Sequence, residues 1–229
     1  MWFALSLSLL LVVYNNVINR WRPFHGVAYV PLNLTFAGLI ILIAASTLKL
    51  SRSELGFQGD ITDAAISLAA VVTFGIGALV LARSRHAHRV ADRRVAGLGG
   101  GALALHVLVR IPIGTAFAEE VLFRGVLFAT WRDAGLSITE AALYASLAFG
   151  LWHITPTIIG IRINDPGATR RWLRIAVLGA VALTTIAGLG LTWLRIESSG
   201  LIAPIVLHGG INSVSALAAV RAGGNRAHP

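Results

Sequence analysis

The sequence predicts an all-α fold, a polytopic transmembrane helix bundle of about 7–8 spans, on three observations. Hydrophobic residues make up 56% of the 229 and charged ones only 13%, about half the charged share of a soluble domain. Mean hydropathy is +0.76. Seven apolar runs approach the ~20 residues that a helix needs to cross the hydrocarbon core: residues 2–18, 31–50, 64–82, 101–131, 138–153, 173–193 and 201–220.

The first run, MWFALSLSLLLVVYNNVI, has no basic segment before it and no small-residue cleavage site after it. It therefore reads as an uncleaved span rather than a signal peptide. The second and third runs are ordinary spans, joined by the polar turn segment SRSELGFQGDITD at 51–63. The fourth run is too long for one straight crossing at about 1.5 Å per residue. Pro112 and Gly114 are expected to kink it, or to split it and raise the count to eight. The fifth run is followed by a long, Arg-rich loop, 156–172, in which Asp165-Pro166-Gly167 is a turn signal. The tail GGNRAHP reads as disordered. With no internal repeat, the chain is expected to be one membrane domain, 1–229, with a motif-bearing core at about 101–220 and a disordered tail at 221–229.

Charge placement sets the expected orientation. The chain has 18 Arg, one Lys and a net charge of +9. With seven spans and the N-terminus outside, 13 basic residues fall in the inner segments, among them Arg20, Arg22, Arg83, Arg85, Arg89, Arg93 and Arg94. Only four, Lys49, Arg52, Arg132 and Arg195, fall outside. The positive-inside rule favours that orientation. The basic balance then points to anionic membrane lipid as a contact, and not to nucleic acid. No cysteine is present, which excludes disulfides and thiolate metal sites.

A few polar residues lie inside the runs: His106, Arg110, Glu119, Glu120, Arg124, Glu140, His153 and His208. His106, Arg110 and Glu140 lie near run ends and read as interfacial anchors. The stretch AEEVLFRG, 118–125, is different. A charge at the bilayer centre costs roughly 2.5–3.5 kcal/mol on insertion scales. Glu120 and Arg124, four apart, can pair on one helix face. Glu119 points about 100° away from Glu120 and is left to the bundle interior. His153 ends the fifth run with Phe149 one turn before it, and His208 has Asn212 one turn after it. Taken singly, each pattern also fits an interfacial residue or helix–helix hydrogen bonding. Together they supply a carboxylate and an imidazole to activate water, and a His–Asn pair to face an oxyanion.

EEVLFR, FGLWH and HGGIN, in this order on separate spans, resemble the motifs of the CAAX-protease and bacteriocin-processing family of intramembrane glutamic endopeptidases. That family includes the eukaryotic Ras-converting endoprotease and the bacterial abortive-infection proteins. Phe123-Arg124-Gly125 and Ala203-Pro204-Ile205 also look like the family, and the resemblance covers roughly residues 112–215. It implies Glu119 as general base, activating water with His153, and His208 with Asn212 as the oxyanion hole. It implies that Glu120 and Arg124 hold the site and that Phe149 packs beside His153. The implied substrate is a protein or peptide with a membrane-proximal or prenylated C-terminus, cut without a cofactor. The Arg-for-Lys bias, with many Ala and Gly residues, suggests a bacterial cell membrane, where a prenylated substrate is not expected. Three alternatives stand beside this reading: a zinc protease using the same Glu and His residues, a non-catalytic scaffold or immunity protein, and a proton-relaying transporter. The first has no HExxH motif and an Arg beside its carboxylates; the last has no repeats. No Gly-x-Ser-x-Gly elbow is present, and the glycines at 97–101 lack the Lys of a phosphate loop.

Overall fold

The structure is a computed structural model that describes residues 1–21 and 26–224. Its main helices are α1 (Trp2–Ile18), α2 (Tyr29–Leu48), α3 (Ala64–Arg83), α4 (Gly100–Asp133), α5 (Ile138–Trp152), α6 (Ile154–Asn164), α7 (Arg170–Glu197) and α8 (Ile202–Gly224). Six helical segments are long and apolar enough to cross a membrane, with α5 and α6 forming one of them; α1 is a shorter apolar helix of 17 residues. The chain is an all-helical, multi-pass membrane protein.

α4 lies at the centre. Residues 118–131 are buried without a break, as expected of a helix that is apolar all round. α1, α2 and α5 pack on one side of this stretch and form the largest core with Leu122, Phe123, Val126 and Leu127. α8 packs between α3 and the first half of α4, and α7 covers α5. Every site motif therefore sits on α4 or on a helix wrapped around it.

Three sequence expectations change. α4 is one continuous helix, neither split nor broken at Pro112, so no eighth span arises among the described residues. The turns over His106–Phe117 and Val121–Leu127 are wide π-helical ones. A wide turn accommodates a proline, which lacks an amide and clashes with the carbonyl one α-turn back. The carbonyl five residues before Pro112, that of Val107, takes the Ser213 hydroxyl of α8 at 2.8 Å, and Asn33 Nδ2 of α2 donates to the Gly114 carbonyl at 2.9 Å. The expected loop 156–172 is largely α6, which leaves only residues 165–169 as a connection. The expected tail starts late: α8 runs to Gly224. The remainder of the tail, including Arg226, lies outside the described residues, as does Arg22.

Two polar residues read as anchors or outer charges have structural work. Glu140 closes a capping box with Ser137 at the start of α5, a reciprocal pairing that satisfies two backbone donors. Arg195 turns inward from α7. Its Nε donates to the Arg124 carbonyl at 3.0 Å, and its Nη2 donates to the Glu54 carbonyl. The loop before α3 is thereby fixed to α4. The same loop docks on the start of α8, where the Leu201 amide donates to Gly56 O at 3.0 Å. Gly56 has φ +78, a left-handed conformation that suits glycine. On the opposite side, Asn164 at the end of α6 donates to Asp92 and receives the Arg93 amide. Burial opposes the Asp92 charge, yet the bonds from Arg94 and Asn164 hold its carboxyl below the usual range.

α5 and α7 approach closely at Gly150. A methyl group there would lie 2.7 Å from the Val181 carbonyl oxygen and would meet the Thr185 hydroxyl. Gly150→Ala is expected to destabilise the protein by about 1–3 kcal/mol, the usual cost of overpacking. Adding Thr185→Ala restores only part of it, because the Val181 carbonyl is backbone. Thermal unfolding in detergent followed by size-exclusion chromatography measures both; an unchanged profile for Gly150→Ala would show that the helices part at no cost.

Candidate active site

The α4 segment brings Glu119, Glu120 and Arg124 to the bundle interior, where all three are buried. Glu120 and Arg124 form the expected i,i+4 pair, with Arg124 Nη1 donating to Glu120 Oε1 at 3.0 Å. The same Oε1 lies 2.7 Å from His208 Nδ1 of α8. A carboxylate accepts, so Nδ1 carries the proton and His208 presents Nε2 to the other side. That nitrogen is 3.9 Å from Glu119 Oε2, too far for a direct hydrogen bond. Glu119 is held at its other oxygen: the Trp152 indole N–H donates to Oε1 at 3.0 Å. Glu119 Oε2 is buried with no hydrogen-bond partner. The two glutamates thus differ in their surroundings, as the 100° offset between them implies. Each has one bonded oxygen and one buried oxygen without a partner among the described residues; Glu120 is bonded by a cation, and Glu119 by a neutral indole.

His153 sits in the joint between α5 and α6, with φ −88 and ψ 2. Its Nδ1 is 2.7 Å from the Phe149 carbonyl. A carbonyl can only accept, so Nδ1 again holds the proton and the neutral ring keeps its lone pair on Nε2. Phe149 organises the centre. Its ring meets that of His153 edge-on at 4.6 Å and that of His208 at 6.0 Å. The Arg124 guanidinium lies over its face at 4.0 Å, a cation–π contact that further compensates the buried charge. Gly188 of α7 leaves room for Arg124, since a methyl there would lie 3.2 Å from Nη2.

Asn212 lies one turn beyond His208 on α8, partly buried, and makes no hydrogen bond with a described residue. Four of the motif residues (Glu119, Glu120, Arg124 and His208) thus form one hydrogen-bonded and ionic cluster with Trp152. Phe149 and His153 pack against it, and Asn212 lies at its border. No three His, Asp or Glu residues among those described are grouped to hold a metal ion. Arg124 occupies the position beside the carboxylates where a cation would have to compete.

Sequence reasoning missed Trp152 as the partner of Glu119, and it gave α1, a span it did place, no part in the site. The signal for the first was an indole directly before His153. The signal for the second was YNN, residues 14–16: two adjacent amides at membrane depth in an otherwise apolar helix. Neighbouring Tyr14 stacks on Phe36 with ring centroids 3.6 Å apart and gives its hydroxyl to Asn33 Oδ1 at 3.2 Å.

Comparison with protein families matches residues 101–214 to the family described as type II CAAX prenyl endopeptidase Rce1-like. No curated protein and no solved structure gives a match. The matched segment runs from the start of α4 to the middle of α8 and contains every residue of the cluster.

Arg124→Met leaves Glu120 as a buried carboxylate beside His208 alone, and is expected to cost about 3–5 kcal/mol. Glu120→Gln combined with Arg124→Met removes both charges and is expected to cost less than Arg124→Met does. Thermal unfolding of the two variants in detergent orders them; a double variant no better than the single one would mean that the pair is not what keeps these charges tolerable.

Proposed function

Because the chain belongs to this Rce1-like family of CAAX endopeptidases, we propose that it is an intramembrane glutamic endopeptidase in which Glu119 activates the hydrolytic water. The observation that carries the reading is the asymmetry of Glu119: one carboxylate oxygen is fixed by Trp152, and the other is unpartnered and faces His208.

A water between Glu119 Oε2 and His208 Nε2 has a proton acceptor on one side. Glu119 takes its proton as the water oxygen bonds to the scissile carbonyl carbon. His153, with its lone pair on Nε2, shares and orients that water. The carbonyl π pair moves to oxygen, and His208 and Asn212 donate hydrogen bonds to the oxyanion. Nε2 of His208 donates when the ring carries its second proton. Collapse of the tetrahedral intermediate breaks the C–N bond, and the proton held by Glu119 passes to the leaving amine. Atoms and charge balance with one water and no covalent enzyme intermediate. Preorganised donors of this kind are the largest contribution in many hydrolases.

The substrate is a protein or peptide that enters from the membrane. The cut lies near its C-terminus or in a membrane-adjacent segment, because the site sits inside the bundle. The cell membrane of a bacterium is the proposed location. Mechanism and fold need neither metal nor other cofactor.

Two measurements test this. Termini of membrane proteins are compared by mass spectrometry between cells expressing wild type and cells expressing Glu119→Gln at equal abundance. Termini found only with wild type are expected, and they identify the substrate; identical profiles would move the assignment to a non-catalytic scaffold. With a processed substrate in hand, EDTA is expected to leave the rate unchanged, whereas loss and recovery on adding zinc would reassign the chemistry to a metal.

A further inference from the structure

The joint that carries His153 needs a cause and a support, and only the cause is in the matched segment. Pro156 supplies it. In a continuous helix the Trp152 carbonyl would bond to the amide of residue 156, and proline has none. The proline ring also clashes with that carbonyl, so the chain turns at His153 before α6 begins. The break leaves backbone groups exposed at membrane depth, where an unsatisfied one costs several kcal/mol.

α1 satisfies them. Asn15 Nδ2 donates to the Trp152 carbonyl at 2.8 Å, the bond that Pro156 cannot make. Asn16 enters the neighbouring gap with both ends of its amide. Its Oδ1 accepts the Thr155 N–H at 2.7 Å, and its Nδ2 donates to the Leu151 carbonyl at 2.9 Å. Thr155 N–H and Leu151 O are the pair that an unbroken helix would join directly, so the Asn16 carboxamide stands between them. Asn19 donates to Asn15 Oδ1 at 2.7 Å and fixes that amide's orientation. Normal helical bonding resumes with the Thr157 amide on the His153 carbonyl at 3.0 Å. Two of the three bonds from α1 across to this segment land on the Trp152 carbonyl and the Thr155 N–H, groups whose helical partners the break removes, and the third adds a donor to the Leu151 carbonyl beside the cap amide it already accepts; general helix-to-helix adhesion has no reason to select them.

We propose that Asn15 and Asn16 are positioning residues for the reaction: they hold the α5–α6 joint open and thereby set both His153 and the Trp152 indole that grips Glu119. This rests on the protease reading above and extends its machinery to a helix outside the matched family segment. It also gives α1 a function that its composition does not suggest.

The test uses full-length protein with Asn16→Leu, and with Asn15→Leu as a milder second variant that removes a single bond to the joint, together with the Asn19 bond within α1. Ser8→Ala serves as control, since Ser8 bonds only to Ala4 within α1. The Trp152 indole N–H resonance, assigned by its loss in Trp152→Phe, is recorded in lipid nanodiscs. Yield of the wild-type-specific termini is measured in membranes at equal abundance of folded protein. Expected is a shifted indole resonance in both asparagine variants and a yield about tenfold lower for Asn16→Leu, the scale of a sub-ångström misplacement. Ser8→Ala should match wild type in both. An unmoved indole, or a moved indole with wild-type yield, overturns the positioning role. Failure of the protease reading shows elsewhere, as identical termini for wild type and Glu119→Gln.

Discussion

The Arg124–Glu120–His208 contact is the interaction on which the rest depends. A guanidinium and a carboxylate, each almost wholly buried, are tolerable in this bundle only as partners. Their pairing fixes α4 in rotation, because only one face of the helix can put Glu120 against α8. It also fixes α8, since His208 donates to the same carboxylate oxygen. Gly188 on α7 and Phe149 on α5 are shaped around Arg124, one by lacking a side chain and the other by offering an aromatic face. Four helices thus take their relative positions from one buried ion pair. The apolar core around it adds packing without that specificity.

Glu119 gains its character from what this arrangement denies it. With Arg124 committed to Glu120, the adjacent carboxylate has no Arg or Lys partner among the described residues, and the hydrogen bond it makes there comes from a neutral indole donor. A carboxylate fully satisfied by donors is a poor base, because each bond stabilises the charged form. Leaving one oxygen unpartnered in a water-poor interior keeps it ready to accept a proton. On the proposed mechanism, the difference in their partners gives Glu120 the structural role and Glu119 the chemical one.

Much of the fold and the motif set was legible from the sequence, for a physical reason. Burying charge in a low-dielectric interior is so costly that Glu119, Glu120 and Arg124 stand out against an apolar background without any coordinates. Pairing at i,i+4 followed from helix geometry, and so did the separate fate of Glu119. The features that were not legible depend on backbone groups, which all residues share. Pro112 was expected to kink or split α4, yet wide turns absorb it and the Ser213 hydroxyl takes the carbonyl five residues back. Pro156 received no such expectation, yet it ends α5 where a smooth transition to a loop was read. Whether a proline breaks or bends a helix depends on which neighbour can satisfy the orphaned groups, and that neighbour is distant in sequence.

The same logic explains why α1 matters although it resembles nothing. A motif records side chains that touch the reacting atoms, and these are constrained by chemistry to a few residue types. A brace need only supply a donor or acceptor at the right place, and any amide on any helix can do so. Asn15 and Asn16 meet backbone orphaned by the Pro156 break, separated from it by about half of the chain. On the proposed mechanism the matched segment carries the residues that do the chemistry, and α1, outside it, supplies the amides that brace the joint presenting Trp152 and His153 to it.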